Sequence, residues 1–184
     1  MKVKEIVQLC NEICNLELPQ KVATEWNDEN ANDNETVRKL ILCCNSALED
    51  LYCNYGADIA TCEISSKNGF VNTSEMGLCK VLKLTDRQGA NVKFRYTAEG
   101  LFVDDGNYIL TYAKLPQAVG WNSEVRLPSP RMTERVLVYG LLSRYFSIVE
   151  DLERAEHWEA CYQNALRSIS IKSSSLIMPM RRWE

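Results

Sequence analysis

The side chains best able to do chemistry in this chain are its cysteines, one histidine and two charged pairs, one of them acidic. Cysteines stand at positions 10, 14, 43, 44, 53, 62, 79 and 161, enough on number alone for a disulfide framework or a metal site. Cys10 and Cys14 are four apart and would share one helix face, but zinc needs two further ligands at recognisable spacing, and no CxxC occurs. The neighbours of these cysteines are Leu, Ile and Val, and a free cysteine packs as a small hydrophobe. The start Met1-Lys2-Val3-Lys4-Glu5 lacks the apolar stretch of a secretory leader, which points to a reducing compartment. All eight thiols are therefore expected free, in the core.

His157 is the single histidine and lies between Glu156 and Trp158 in a helical stretch, where a packed or half-exposed imidazole is the ordinary outcome. No nucleophile is evident beside it in the sequence. Asp104-Asp105 could attract a cation, and Asp86-Arg87 could form a polar site, yet both pairs sit where turns are expected and are turn formers first. The chain has no glycine-rich phosphate loop, GxSxG elbow, HExxH or calcium loop. These residues predict no catalytic, cofactor or metal site, hence a protein that is not an enzyme.

The elements that must position these residues can be read from hydrophobic period. Val3, Ile6, Val7, Cys10, Ile13 and Cys14 form one stripe, with Lys2, Lys4, Glu5, Asn11 and Glu12 off it, so a first amphipathic helix covers 2–16. Asn27 to Asn34 is too polar to bury and is expected as a loop ending in an N-cap at Asp33 or Asn34. Val37, Leu40, Ile41, Cys44, Leu48, Leu51 and Tyr52 then keep helical period as far as Gly56, the expected C-cap.

Strand signals follow at Ile59–Ile64, Leu78–Leu84 and Val92–Thr97, punctuated by glycines. Lys83 to Arg95 reads as a hairpin turning at Asp86-Arg87-Gln88-Gly89. GLFVDDGNYILTYAKLP, from Gly100, reads as another. Its first strand carries Leu101 and Val103, its second Ile109, Thr111 and Ala113, and the tip is Asp104-Asp105-Gly106-Asn107. Beyond Leu127-Pro128-Ser129-Pro130 the period returns to helical through Val136, Tyr139, Leu142 and Phe146, and Asp151 either caps a further helix carrying Ala155, Trp158, Tyr162 and Ile169 or marks a kink in one continuous helix.

The expected fold is α+β: an antiparallel helical bundle, an inserted antiparallel β region and an extended C-terminal tail. One domain spans 1–172, with helical layers at 1–56 and 130–172 and the β insertion at 57–116. The tail, 173–184, offers Leu176, Ile177, Met178, Met180, Arg181, Arg182 and Trp183 after a serine hinge, and is too apolar to be left in water. It is expected either to fold back on its own domain or, the preferred reading, to dock on another subunit as an extended strand or hook.

At 184 residues, 46% hydrophobic and 25% charged, the composition is that of a globular protein. No apolar run reaches the ~20 residues of a membrane span. A net charge of −4 argues against a protein whose main task is gripping phosphates, though an acidic wall would suit a conduit along which DNA slides.

From Val37 to Ile169 the chain resembles the head-to-tail adaptor proteins of tailed bacteriophages, of the tail tubular protein A type. The likeness rests on the G-L-F-V-D-D-G-N-Y-I-L-T-Y stretch ending at Lys114-Leu115-Pro116 and on the Pro128–Pro130 approach to a helix. It extends to the Tyr139–Phe146 helix and the D-L-E-R-A-E-H-W segment at Asp151–Trp158. The eight cysteines and the stretch Cys62–Arg95 depart from it.

The resemblance implies a structural virion protein, a dodecameric ring of identical copies in the head-tail neck, made in the bacterial cytoplasm. It would clamp the portal protein on one side and the next tail component on the other, with DNA passing through during ejection. No membrane and no small-molecule substrate would be involved. The tail residues and the hairpin tip Asp104, Asp105 and Asn107 would be its contact points. The competing expectation is a cytosolic enzyme or binding domain with a pocket between the β layer and the helices, using Asp104, Asp105 and His157.

Overall fold

The computed structural model describes residues 1–55, 58–97 and 99–171. The chain is a mixed α+β protein. Helix α1 spans Val3–Cys14, short helices α2 and α3 span Val22–Glu25 and Asp28–Asp33, and α4 spans Glu35–Asp50, running into a π-helical turn at Leu51–Tyr55. The strands are β1 (Asp58–Ser66), β2 (Phe70–Val71), β3 (Leu78–Asp86), β4 (Arg95–Thr97), β5 (Gly100–Phe102) and β6 (Gly106–Lys114). Helices α5 (Glu134–Ile148) and α6 (Leu152–Ile171) follow. The proposed C-cap Gly56 and the tail 173–184 lie outside the described residues.

Helix α1 forms where the apolar stripe is expected, with Val3, Ile6, Val7 and Cys10 buried. Glu5 secures its start by accepting the Lys2 amide at 2.8 Å. Asn11, assigned by its polarity to the solvent side, is instead buried. Its Oδ1 accepts the amides of Leu16 and Leu18, and its Nδ2 donates to the Leu18 carbonyl at 3.1 Å. These bonds fold the chain back after Asn15, which sits in the left-handed region at φ 49°.

Asn34 caps α4, as its place before the apolar run suggested, accepting the Val37 amide at 3.0 Å. The loop expected over Asn27–Asn34 is corrected: it holds helix α3. Asn27 accepts the Asn30 amide at 2.9 Å, so the same residue type that disfavours helix interiors starts one here.

The β region forms two three-stranded antiparallel sheets, ordered β1-β6-β3 and β2-β5-β4. This overturns the hairpin expected over 100–116. β6 pairs with β1 from Ile59↔Ala113 to Ser66↔Gly106, and with β3 on its other edge, whereas β5 pairs with β2 (Phe70↔Phe102) and β4 (Tyr96↔Leu101). Asp104 and Asp105 therefore carry the chain from one sheet to the other. Burial explains the choice: β6 sits centrally between two strands of nine residues, far more pairing than the three-residue β5 could offer.

The Lys83–Arg95 hairpin forms only at its tip. Asp86 Oδ1 accepts the amides of Gln88 and Ala90, and pairing ends at the Thr85↔Asn91 bridge and the Val92-to-Leu84 bond before the chain leaves to make β4. The two sheets face each other across Ile64, Val71, Leu84, Leu101, Val103, Leu110 and Tyr112.

A second, larger core joins the helices. α5 is buried around most of its circumference, as a central helix must be, and packs between α4 and α6. Gly140 permits this approach: a Cβ there would lie 2.9 Å from the Tyr162 ring. The break foreseen at Asp151 is present. Glu150 adopts φ 61° and Asp151 accepts the Arg154 amide at 3.2 Å, so α5 and α6 are separate helices.

The irregular segment 117–129 runs across the helical core. Asn45 grips Val119 by both backbone groups, at 2.7 and 3.0 Å, while Val3 donates to the Ser123 carbonyl and Val125 to that of Met1. Trp121, buried, donates its indole N–H to the Trp26 carbonyl at 3.3 Å.

The cysteine expectation is corrected in one pair. Cys10, Cys43 and Cys44 are buried thiols, and Cys14, Cys62 and Cys161 are free and half-buried, but Cys53 and Cys79 form a disulfide with Cα atoms 6.1 Å apart. Cys53 lies in the π-helical turn and Cys79 on β3, so the bridge ties the end of the α4 region to the sheet. Neither cysteine belongs to an apolar core cluster.

Candidate functional site

Of the two carboxylates proposed at a hairpin tip, that of Asp105 holds the crossover, while Asp104 contributes its backbone carbonyl. Asp105 Oδ1 accepts the Gly69 amide at 2.7 Å, and the Asp104 carbonyl accepts the Tyr108 hydroxyl at 2.9 Å. Asn107 is a strand residue opposite Ser65. The acidic pair is thus separated in role, one side chain anchoring β2 and the other lining a groove beside β4.

His157 is exposed on α6, its ring edge-on to Trp158 at 5.2 Å. Its Nε2 lies 3.9 Å from Cys161 Sγ, one helical turn on, a proximity that the spacing of four already contained. Neither residue is brought near Asp104 or Asp105: they occupy different halves of the fold, and neither lines the clefts described below. The tail residues Leu176, Ile177, Met178, Met180, Arg181, Arg182 and Trp183 lie outside the described residues.

A cleft of about 450 Å³ does lie between the helices and the sheet, lined among others by Tyr52, Asp58, Lys114, Pro116, Glu124 and Arg126. None of the three residues suggested for such a pocket reaches it. Tyr52 donates its hydroxyl to the Arg126 carbonyl at 3.1 Å, and burial, then the nearby Asp58 charge, pushes its phenol up. Asp58 and Lys114 face each other across the β1–β6 pair. The cleft can recognise a polar group by charge and hydrogen bonding, but its phenol is kept protonated and already bonded.

The strongest polar constellation is structural. Asp50, at the end of α4, accepts the Tyr162 hydroxyl at 2.7 Å, Arg144 Nη2 at 3.1 Å and Asn54 at 2.7 Å. Burial pushes its carboxyl up, but the bonds from Tyr162, Asn54 and Arg144 outweigh that and hold it below the usual carboxylate range. The Tyr162 phenol is pushed far up, first by burial and then by the same carboxylate. The Asp50 carboxylate thus joins α4 to α6 through Tyr162 and to α5 through Arg144.

Two exposed apolar patches complete the surface. On the outer face of β2-β5-β4, Phe102 packs tilted against Phe70 with ring centroids 5.1 Å apart, and Phe94 joins it in a shallow groove with Lys93, Arg95 and Asp104. Phe102 is 39% and Phe94 37% exposed. At the α5–α6 turn, Ile148, Val149 and Leu152 are exposed, Leu152 at 67%. Sequence reading missed both, because an exposed phenylalanine on a short strand looks like a core residue until its sheet is known. Among the described residues no group of His, Cys, Asp or Glu is arranged to hold a metal ion, and no helix is long and apolar enough to cross a membrane.

Neither the protein-family models nor the curated proteins compared with the chain give a match.

Proposed function

We propose that this chain is a structural protomer of a phage head-tail connector, a ring subunit held between a portal protein and the next tail component in the virion neck. In this reading the four long helices act as an antiparallel bundle, the β region is an insertion reaching towards the tail, and residues 173–184 are an extended arm that docks on a neighbour or the portal. The ring is dodecameric and DNA passes through it, with no substrate turned over. The observation that carries the reading is the pairing of two unlike exposed apolar patches on separate halves of one small protein. A subunit that assembles head to tail needs two different faces, since its contacts are heterologous and close into a ring when the rotation between copies is right. The succession of helices, β region and terminal helix pair supports it from the side of topology.

The test is native mass spectrometry of the full chain mixed with a candidate portal protein, beside a chain ending at residue 172. The full chain is expected to join the portal as a ring and the shortened chain to remain folded but unattached. Turnover of a substrate by the purified chain, or normal attachment of the shortened one, would count against the proposal.

The cleft between helices and sheet favours a second reading, a small-molecule binding domain, because Asp58, Lys114 and Arg126 converge there. A thermal-shift screen of small anions and metabolites, read against a Lys114→Ala variant, separates the two.

A further inference from the structure

The two patches differ in charge as well as position. Beside Phe94 and Phe102, the groove on the β2-β5-β4 sheet presents Lys93 and Arg95 with the carboxylate of Asp104. Among the described residues neither cation has an ion-pair partner. At the α5–α6 turn the exposed Ile148, Val149 and Leu152 are interleaved with Glu150, Asp151, Glu153 and Glu156, and Arg154, the cation within the stretch 148–156, is already bound to Asp151 at 3.2 Å. Arg154 also lies over the Phe146 ring at 5.3 Å, which draws its charge inward. One surface is therefore aromatic and basic, the other aliphatic and acidic.

We infer that the basic aromatic face of the β2-β5-β4 sheet docks on the acidic aliphatic turn between α5 and α6 of a second copy of this chain. Leu152 and its neighbours meet the open rings of Phe94 and Phe102, while Lys93 and Arg95 meet Glu153 and Glu156. Charge complementarity selects this occupant, since one molecule carries both halves of the contact and each half repels its own kind. The two surfaces are different, so the contact is heterologous and propagates from copy to copy. The inference rests on the reading of the chain as a ring protomer and names the surfaces by which the ring would close.

Two measurements on the full chain test it. A photo-crosslinker placed as Phe102→p-benzoylphenylalanine should link to residues 148–156 of another copy, as located by peptide mapping. Separately, Lys93→Glu with Arg95→Glu, and Glu153→Lys with Glu156→Lys, should each weaken self-association by about tenfold or more in sedimentation, and mixing the two double variants should restore it. These side chains are exposed, and thermal melting verifies that the variants fold. Oligomers whose crosslinks fall elsewhere, or charge reversals that leave association unchanged, overturn this contact while leaving the ring reading standing. Exclusively intramolecular crosslinks in a chain that stays monomeric overturn the contact too, and the ring reading then stands or falls on its own measurement with the portal.

Discussion

Replacing Tyr162 by Phe removes one hydrogen bond and leaves the ring in place against Gly140. The lost bond runs to an ionised acceptor, a class that contributes ~1.5–3 kcal/mol. Asp50 keeps 26% of its side chain exposed and retains Arg144, so the lower end applies, about 1.5 kcal/mol. For a chain of this size that corresponds to a melting temperature lower by roughly 3–6 °C.

The sign of the pH dependence follows from Asp50. Its folded carboxyl titrates below the unfolded value, so its contribution is full at neutral pH and is lost as pH falls through the folded value. The difference between wild type and Tyr162→Phe should accordingly shrink on acidification below about pH 4. The assay is urea unfolding followed by tryptophan fluorescence from neutral to acid pH, repeated in an Asp50→Asn background. There Tyr162→Phe should cost markedly less, a coupling of ~1 kcal/mol. If the two substitutions prove additive, or the difference does not shrink in acid, the bond does not contribute as argued.

Gly140→Ala brings two opposed effects: alanine favours the helix by up to ~1 kcal/mol, but its methyl would collide with Tyr162, at ~1–3 kcal/mol. The net is expected to be a loss, seen as a lower melting temperature, and a gain would refute the close α5–α6 approach. In alkylation without reductant at neutral pH, Cys62 and Cys161 should label first. Cys43 and Cys44, whose thiols burial pushes up to about 11 and about 12, and Cys10, pushed up likewise, should wait for unfolding. Cys53 and Cys79 should become reactive only after reduction, and their ready alkylation beforehand would exclude the bridge.

The four long helices were legible because their signals are local, whereas the short α2 and α3 were not. A stripe at three and four, an asparagine before Val37 and an aspartate at the α5–α6 break state where a helix begins without reference to the rest of the chain. The sheets were not, because turn residues announce a change of direction and not a partner. Asp104 to Asn107 look the same whether the next strand folds back on β5 or crosses to lie between β1 and β3, and only the burial of Leu110 and Tyr112 decides. The Cys53–Cys79 bridge, 26 residues apart, left no trace in spacing. Of the candidate sites, the acidic pair was read as the turn of a hairpin and instead lies in the crossover between the two sheets. The exposed aromatics required knowledge of which face of a three-residue strand looks outward.

Helix α5 stands at the centre of the helical core, yet it is made late. When α1 and α4 have left the ribosome, their main apolar partner is still more than eighty residues away in the message, on the order of ten seconds at ~5–20 residues per second. During that interval Val7, Leu40 and Leu48 have only each other and their near neighbours for cover. The nascent N-terminal third is therefore the stage at which a holding chaperone has most to grip, and slow codons across the β region would lengthen the exposure.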